Sequence, residues 1–425
     1  MIEKSPSCDD VVEPELLPVQ TARERLFEAL ERPGIAESIT LDDALGRVLA
    51  ADVVSPMNVP AQTNSAMDGY AIANESIPVR GEARLQLKGT AWAGQPFEGT
   101  VVRGEAVRIF TGAIMPAGTD TVVIQEHVRE ADDHVDIDSD VVAGKNVRHA
   151  GEDVTLGQCV LPTGRKLEAA DVGVLASLGI INLEVFRRLK VAFFTTGDEL
   201  FSLTEHTPGN VLPAGMLFDS NRYTLACLLK SMGVQAIDLG IVRDNEHDTR
   251  AAIQRAAQIA DVVITSGGVS AGEADFVTRV FHDLASISFW KLAMRPGRPL
   301  AFGTVGDAAF FGLPGNPVAV MVTFLQFVKP ALCYMAGMNE FEPLTLPAVS
   351  ESTLRKSPGR VEFQRGIMRI DESGTLVVKS TGKQGAGRLS SMSQANCLIV
   401  IDADVNGVKP GDTVGVQAFH GLLSS

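Results

Sequence analysis

The run Thr265-Ser266-Gly267-Gly268-Val269-Ser270-Ala271-Gly272-Glu273-Ala274-Asp275 follows the apolar Val262-Val263-Ile264 and leads into a helix-like stretch. Glycines let a backbone come close to a ligand, and a helix N-terminus offers unpaired N–H groups, so this pattern can hold phosphate. Glu273 and Asp275 stand at the same end, where a bare phosphate would be repelled. A divalent cation between acid and phosphate reconciles the two. The chemistry expected is a nucleotide or cofactor site with a metal.

Two further loops follow apolar runs in the same way. Thr195-Thr196-Gly197-Asp198-Glu199-Leu200 comes after Val191–Phe194, and Leu313-Pro314-Gly315-Asn316-Pro317 comes after Phe310-Phe311. Asn316 suits a helix cap and Pro317 a first helical turn. Alone, Asp198 and Glu199 would be ordinary helix-start residues; three such loops at one sheet edge form a pocket. The segment Phe289–Pro299 adds cations. Lys291 and Arg295, four apart on an expected strand, face one side, and Arg298 sits in a Pro-Gly-Arg-Pro frame. Beside an acidic metal loop they would bind phosphate or a small oxyanion; the alternative is a solvated basic strand edge. Earlier in the chain, Asn64–Ala71 gathers small and polar residues around Asp68. Phe110-Thr111-Gly112-Ala113 and His149-Ala150-Gly151-Glu152-Asp153 add a hydroxyl and two more acids on loops. No Ser/His/Asp or Cys/His pairing has local support, so nucleophilic catalysis is not indicated.

The elements that must position these groups read as an α/β and β multidomain protein. Residues 186–336 alternate strands (190–195, 234–242, 261–265, 287–294, 308–313) with helices (220–232, 245–260, 274–284, 317–335), which predicts a doubly wound, mostly parallel sheet. In such sheets ligands bind at the carboxyl ends of strands. Residues 55–153 carry short alternating runs between Gly- and Pro-rich turns, an all-β insert in the form of a small barrel. Residues 19–54 and 154–185 are expected to meet as a discontinuous helical linker domain, with helices over 19–32, 41–50 and 169–178. Residues 341–425 read as a C-terminal β-barrel and residues 1–18 as a disordered tail.

The 425-residue chain carries a net charge of −15, which excludes a general nucleic-acid binder. No stretch is read as approaching the ~18 apolar residues of a membrane span. Residues 1–15 lack the basic start and apolar core of a signal peptide, so a cytoplasmic location is expected. Five scattered cysteines without a C-x-x-C pair, and seven histidines without ligand spacing, argue for a reducing compartment and against zinc or iron–sulfur ligation.

Taken together the segments resemble the molybdopterin molybdenumtransferase family, the MoeA type, which includes the E domain of gephyrin. The matching pieces are Ser65–Ala71, Phe110-Thr111-Gly112, Gly151-Glu152-Asp153, Thr196–Leu200, Asp219-Ser220-Asn221, Ser266–Asp275, Pro296–Pro299, Leu313–Pro317, and Gly359-Arg360 with Phe363–Gly366. They run in the family's order over nearly everything after residue 19. The resemblance implies an enzyme that takes adenylylated molybdopterin and molybdate, inserts molybdenum into the dithiolene and releases AMP with Mg²⁺. It implies a homodimer whose cleft lies between the α/β domain of one subunit and the β insert of the other, with no nucleic acid or membrane as partner.

By the same resemblance Asp68, Asp153, Asp244 and Lys291 would be catalytic, and Glu199 and Asp275 would hold the metal, with Glu273 left as a helix-start residue. Thr111, Ser266, Gly267, Gly268, Ser270, Arg295, Arg298, Pro314, Gly315, Asn316 and Arg365 would bind substrate, Arg365 reaching in from the barrel. The ligand inventory agrees. Hard Mg²⁺ wants oxygen donors, and molybdenum arrives as an oxyanion whose sulfur ligands belong to the pterin. Family members often carry Lys where this chain has Arg295 and Arg298, and a Ser where it has Ala386. Arginine keeps the charge but cannot serve as proton donor or base. Two other readings are a related molybdopterin adenylyltransferase, usually little more than the α/β domain, and a gephyrin-like scaffold.

Overall fold

The computed structural model describes residues 16–32, 34–268, 286–339 and 341–419. Ser270, Glu273, Asp275, the expected helix 274–284 and the tail to residue 15 lie outside the described residues.

The α/β region is built on one six-stranded sheet. Its order is Gln235–Val242, Lys190–Thr196, Val262–Ser266, Ala308–Leu313, Pro299–Val305, Ser286–Lys291. The first four strands are parallel and the last two antiparallel, so the sheet is mixed, with parallel strands at its centre. Both faces are covered. Helix Ser220–Ser231 puts Leu225 and Leu229 on one face with Val191, Phe193 and Ile264. Helix Glu246–Ile259 puts Ile253 and Ala256 on the other with Ala192, Phe194 and Val263. The alternation of 191/193 against 192/194 is the period of a strand buried on both sides.

Helix Pro317–Met335 lies in the first of these cores. It is long and apolar enough to cross a membrane, with a mean hydropathy of 1.6, so the reading that no stretch approaches a span is corrected. Because 72% of it is buried inside the protein, its apolarity serves the core. The rod runs as α-helix to Thr323, widens to a π-turn over Phe324–Val328 and resumes as α-helix from Lys329.

The insert is a six-stranded sheet ordered Thr121–Ile124, Gly69–Ile72, Glu105–Ile109, Glu82–Ala91, His134–Asp138, Arg129–Ala131. Tyr70 and Ile72 serve a core on one face and Ala71 a core on the other. The C-terminal region closes into a five-stranded barrel: Val361–Ile370, Leu376–Ser380, Leu346–Ser350, Thr413–Ala418 and Cys397–Ile401, which pairs back to the first. Closure leaves no free edge among these strands, save where Met294–Arg295 adds alongside Val361-Glu362.

Three further expectations are corrected. The insert is an open half-barrel sheet and not a closed small barrel, since no pairing joins its first and last strands among the described residues. The helix over 41–50 is only a 3₁₀ turn, Leu41–Asp43; Gly46 takes φ 75, and Val48 and Leu49 bridge instead to Lys166 and Val185. Lys291 and Arg295 do not share a strand. The chain leaves the α/β sheet at Lys291, and Met294–Arg295 joins the barrel.

Candidate active site

Four parallel strands end at one edge, and the loops that follow them line a cleft of about 430 Å³. Strand Lys190–Thr196 supplies Gly197 and Glu199, Gln235–Val242 supplies Asp244, Val262–Ser266 supplies Gly267 and Gly268, and Ala308–Leu313 supplies Pro314, Gly315 and Asn316. The antiparallel strand Pro299–Val305 starts at this edge and brings Arg295 and Arg298. The barrel closes the cleft with Gln384, Gly385 and Ala386. This is the carboxyl end of a doubly wound sheet, where ligands bind.

Close backbone approach sets the loop geometry. At Gly267, with φ +95, a Cβ would stand 2.4 Å from the Thr196 carbonyl oxygen, so only glycine lets these two strand ends meet. Asn221, in the first turn of helix Ser220–Ser231, ties the edge together: its Nδ2 donates to Ser266 Oγ at 3.0 Å and to the Gly315 carbonyl at 2.7 Å. Ser266 in turn donates to the Pro314 carbonyl at 3.2 Å. The Gly315 carbonyl can only accept, which fixes the amide orientation and leaves Asn221 Oδ1 a buried oxygen without a hydrogen-bond partner among the described residues. Asp219, which is 1% exposed, accepts from Thr195 Oγ1 at 2.5 Å and from the Arg222 N–H at 3.1 Å, anchoring that helix start to the sheet.

Acids and cations divide the cleft. Burial first, then repulsion from Asp198 and Glu199, pushes the Asp244 carboxyl above the usual carboxylate range. The Asp244 N–H donates to Asp198 Oδ1 at 3.3 Å, which holds the acids close. Arg295 and Arg298 line the same cleft just before strand Pro299–Val305, and two strands separate that strand from the one that leads to Glu199. Arg295 lies 3.9 Å from Glu362 of the barrel and remains 45% exposed in its side chain, so that contact leaves most of its charge to solvent.

A second polar cluster lies on the insert. The Thr111 N–H and hydroxyl both donate to Asp68 Oδ1 at 2.8 Å. The backbone bond first and the hydroxyl second hold the Asp68 carboxyl below its ordinary range. Asp153 is exposed on the neighbouring loop, its N–H bonded to the Val59 carbonyl. No insert residue is among those that line the cleft of the same chain.

The sequence-expected set is therefore partly gathered. Glu199, Asp244, Ser266, Gly267, Gly268, Arg295, Arg298, Pro314, Gly315 and Asn316 share one cleft, while Asp68, Thr111 and Asp153 lie on the insert. Lys291 ends the outermost strand at the same edge, opposite Pro299, but does not line the cleft. Arg365 does not reach in either. It is 1% exposed, and burial pulls its guanidinium down to about 10. Its Nε donates to Ser391 and its Nη2 to the Gly385 carbonyl, while its backbone exchanges bonds with Gln384. It positions the cleft loop from behind. Asn221, Gln384 and Thr196 are cleft residues that sequence reasoning did not assign. The Asp219-Ser220-Asn221 motif was the available signal for the first.

Residues 17–179 match the MoeA N-terminal region (domain I and II), residues 192–333 a probable molybdopterin binding domain, and residues 347–419 the MoeA C-terminal region (domain IV). A molybdopterin molybdenumtransferase of Haemophilus influenzae is 40% identical over 96% of this chain and all of its own. One from Nostoc sp. is 36% identical over 92% of this chain and 90% of its own. The fold resembles the crystal structure of a molybdopterin biosynthesis MoeA protein from Pyrococcus horikoshii, with a TM-score of 0.83 at 28% identity over 95% of this chain and all of that one.

Proposed function

The chain belongs to the MoeA family of molybdopterin molybdenumtransferases, enzymes of molybdenum cofactor biosynthesis, and from that premise we propose that the carboxyl-edge cleft is where molybdenum enters the pterin. The substrates on this reading are adenylylated molybdopterin and molybdate, and the products are the molybdenum-loaded pterin and AMP. The observation that carries it is that Glu199 and Asp244 line one cleft with Arg295 and Arg298 at a sheet's carboxyl edge.

The residues have separable tasks. Gly267 and Gly268 let the backbone approach a phosphate closely. Arg295 and Arg298 offer planar forks to molybdate or phosphate oxygens and offset charge as the phosphoanhydride opens. Neither can move a proton, so proton transfer falls to the carboxyls. We assign that task to Asp244, whose carboxyl is pushed above the usual carboxylate range by burial first and then by Asp198 and Glu199.

The donor set also fits Mg²⁺. Among the described residues no three His, Cys, Asp or Glu side chains are already gathered as a ligand shell. Mg²⁺ needs none, because it is commonly held by one or two carboxylates together with substrate phosphate oxygens. Glu199 and the Asn221 Oδ1 would supply oxygen donors, with Asp275 a further expected ligand. The bound ion would polarise the phosphate oxygens.

The absence of insert residues from the cleft of one chain supports a homodimer in which the other copy's Asp68, Thr111 and Asp153 complete it. Family matches on both sides of the α/β region favour this transferase over an adenylyltransferase consisting of that region alone. The test is reconstitution with adenylylated molybdopterin, molybdate and Mg²⁺. AMP should be released and an apo-molybdoenzyme activated. AMP transfer from ATP without molybdenum insertion would reverse the assignment.

A further inference from the structure

One exposed aromatic group on the insert has no part in its core. Trp92 stacks on Phe110 with ring centroids 4.2 Å apart and planes 8° from parallel. That contact covers one face of the indole, yet 50% of the residue remains exposed, so the opposite face is open to solvent. The backbone that carries the ring is also fixed. Trp92 and Gln95 exchange both backbone bonds at 3.0 Å across a tight turn through Gly94 at φ 80, and the Phe110 N–H donates to the Ala91 carbonyl at 3.3 Å. A preorganised open aromatic face loses little entropy when a flat ring settles on it.

The surroundings define what would settle there. The Arg108 guanidinium lies 5.4 Å from the centre of the Phe110 ring. Its charge is already engaged by Glu130 at 2.7 Å and its N–H by the Tyr70 hydroxyl at 2.6 Å. The cluster is therefore poor at recruiting a free phosphate and suited to a neutral π-face. The residue after Phe110 is Thr111, whose N–H and hydroxyl fix Asp68. The Phe110-Thr111 loop thus carries the stacked Trp92 through one residue and the fixed Asp68 carboxylate through the next, which matches a ligand with a flat nitrogen heterocycle and polar substituents.

We infer that the Trp92–Phe110 stack is a platform for a flat nitrogen heterocycle of the substrate, held beside Asp68 on the insert. This rests on the function proposed above. That substrate carries two such rings, the pterin and the adenine, and both share the stacking chemistry.

The chain has two tryptophans, and the other, Trp290, packs against Phe302 at 5.4 Å, so the full-length W290F variant reports Trp92 alone. Its emission is followed while AMP, pterin-6-carboxylate or inorganic phosphate is titrated, with binding measured in parallel by equilibrium dialysis. Saturable quenching by one ring compound and none by phosphate is expected, and whichever compound quenches identifies the ring. In dialysis Trp92→Ala should weaken that compound about tenfold or more, as loss of base–aromatic stacking does, and Trp92→Phe should retain most of the affinity. Unmoved emission with both compounds, or wild-type affinity in Trp92→Ala, overturns the platform. The molybdenum-insertion assay is scored separately. Insertion by wild type with no Trp92 response sinks the platform alone, and a Trp92 response without insertion sinks the transferase reading alone.

Discussion

Asp68 keeps its carboxylate form because two donors of one residue converge on a single oxygen. Thr111→Val removes the hydroxyl and keeps the N–H, so the Asp68 titration followed by NMR should move up toward the ordinary value. Thr111→Ser should restore it, and Asp68→Asn should cut molybdenum insertion by about 10²–10⁴-fold if that carboxylate works as an acid–base group. Asp244 is biased the other way. With its folded carboxyl above the unfolded value, the folded state holds more protons, so stability falls as pH rises through that window. Asp244→Asn should therefore flatten the loss of stability between acidic and neutral pH in denaturant titrations. Mg²⁺ should raise the wild-type melting midpoint, and Glu199→Gln should cut that rise. The chemical residue types and the strand ends that carry them were legible in the sequence, because α/β sheets place ligands at carboxyl ends. The tasks of Arg365 and Asn221 were not. Whether an arginine faces a cleft or props a loop depends on burial, and the open oxygen of Asn221 exists only because Gly315 and Ser266 occupy its nitrogen.

Helix Pro317–Met335 carries Pro330 in its interior, which has no N–H to give to the preceding turn. Helix Val19–Ala29 repairs that turn: Arg23 Nε donates to the Gln326 carbonyl, four residues back, at 2.9 Å, and Arg23 Nη2 donates to Gln326 Oε1 at 2.7 Å. Gln326 passes the connection to Gln417 of the barrel at 2.7 Å. Burial lowers the Arg23 pKa, so the guanidinium is kept there against a desolvation cost. Arg23→Met preserves the apolar stem and orphans both oxygens; it should cost about 2–3 kcal/mol in denaturant unfolding, while the exposed Arg25→Ala on the same helix stays within about 0.5 kcal/mol. The helical spacing of residues 317–335 was readable straight through Pro330, but the compensation lies some 300 residues away and leaves no local trace. Spacing misled at 41–50, where Leu41, Leu45 and Val48 mimic a helix that Gly46 and pairing to residues 166 and 185 override. Strand Pro299–Val305 is absent from the strands expected of residues 186–336. Pro299 stands at the strand's first position, where a missing N–H is tolerated.

At the scale of the whole molecule the two polar clusters pose a geometric question. The carboxyl-edge cleft and the Asp68–Thr111 pair belong to different regions of one chain, and the residues lining the first include none from the insert. A closed two-fold assembly would answer it, since an isologous contact brings each insert to the other copy's cleft twice over. Such a cleft predicts complementation. Asp68→Asn and Asp244→Asn should each abolish molybdenum insertion as pure homodimers. Unfolded and refolded together at equal concentration, about half of the dimers become mixed, and each mixed dimer holds one cleft with both wild-type acids and one with neither. Insertion activity should then recover to about a quarter of wild type. If both clusters served a cleft within one chain, no mixture would recover, because every cleft would carry one defect. A sedimentation measurement showing that the mixed species forms makes a failure to recover decisive against the shared cleft.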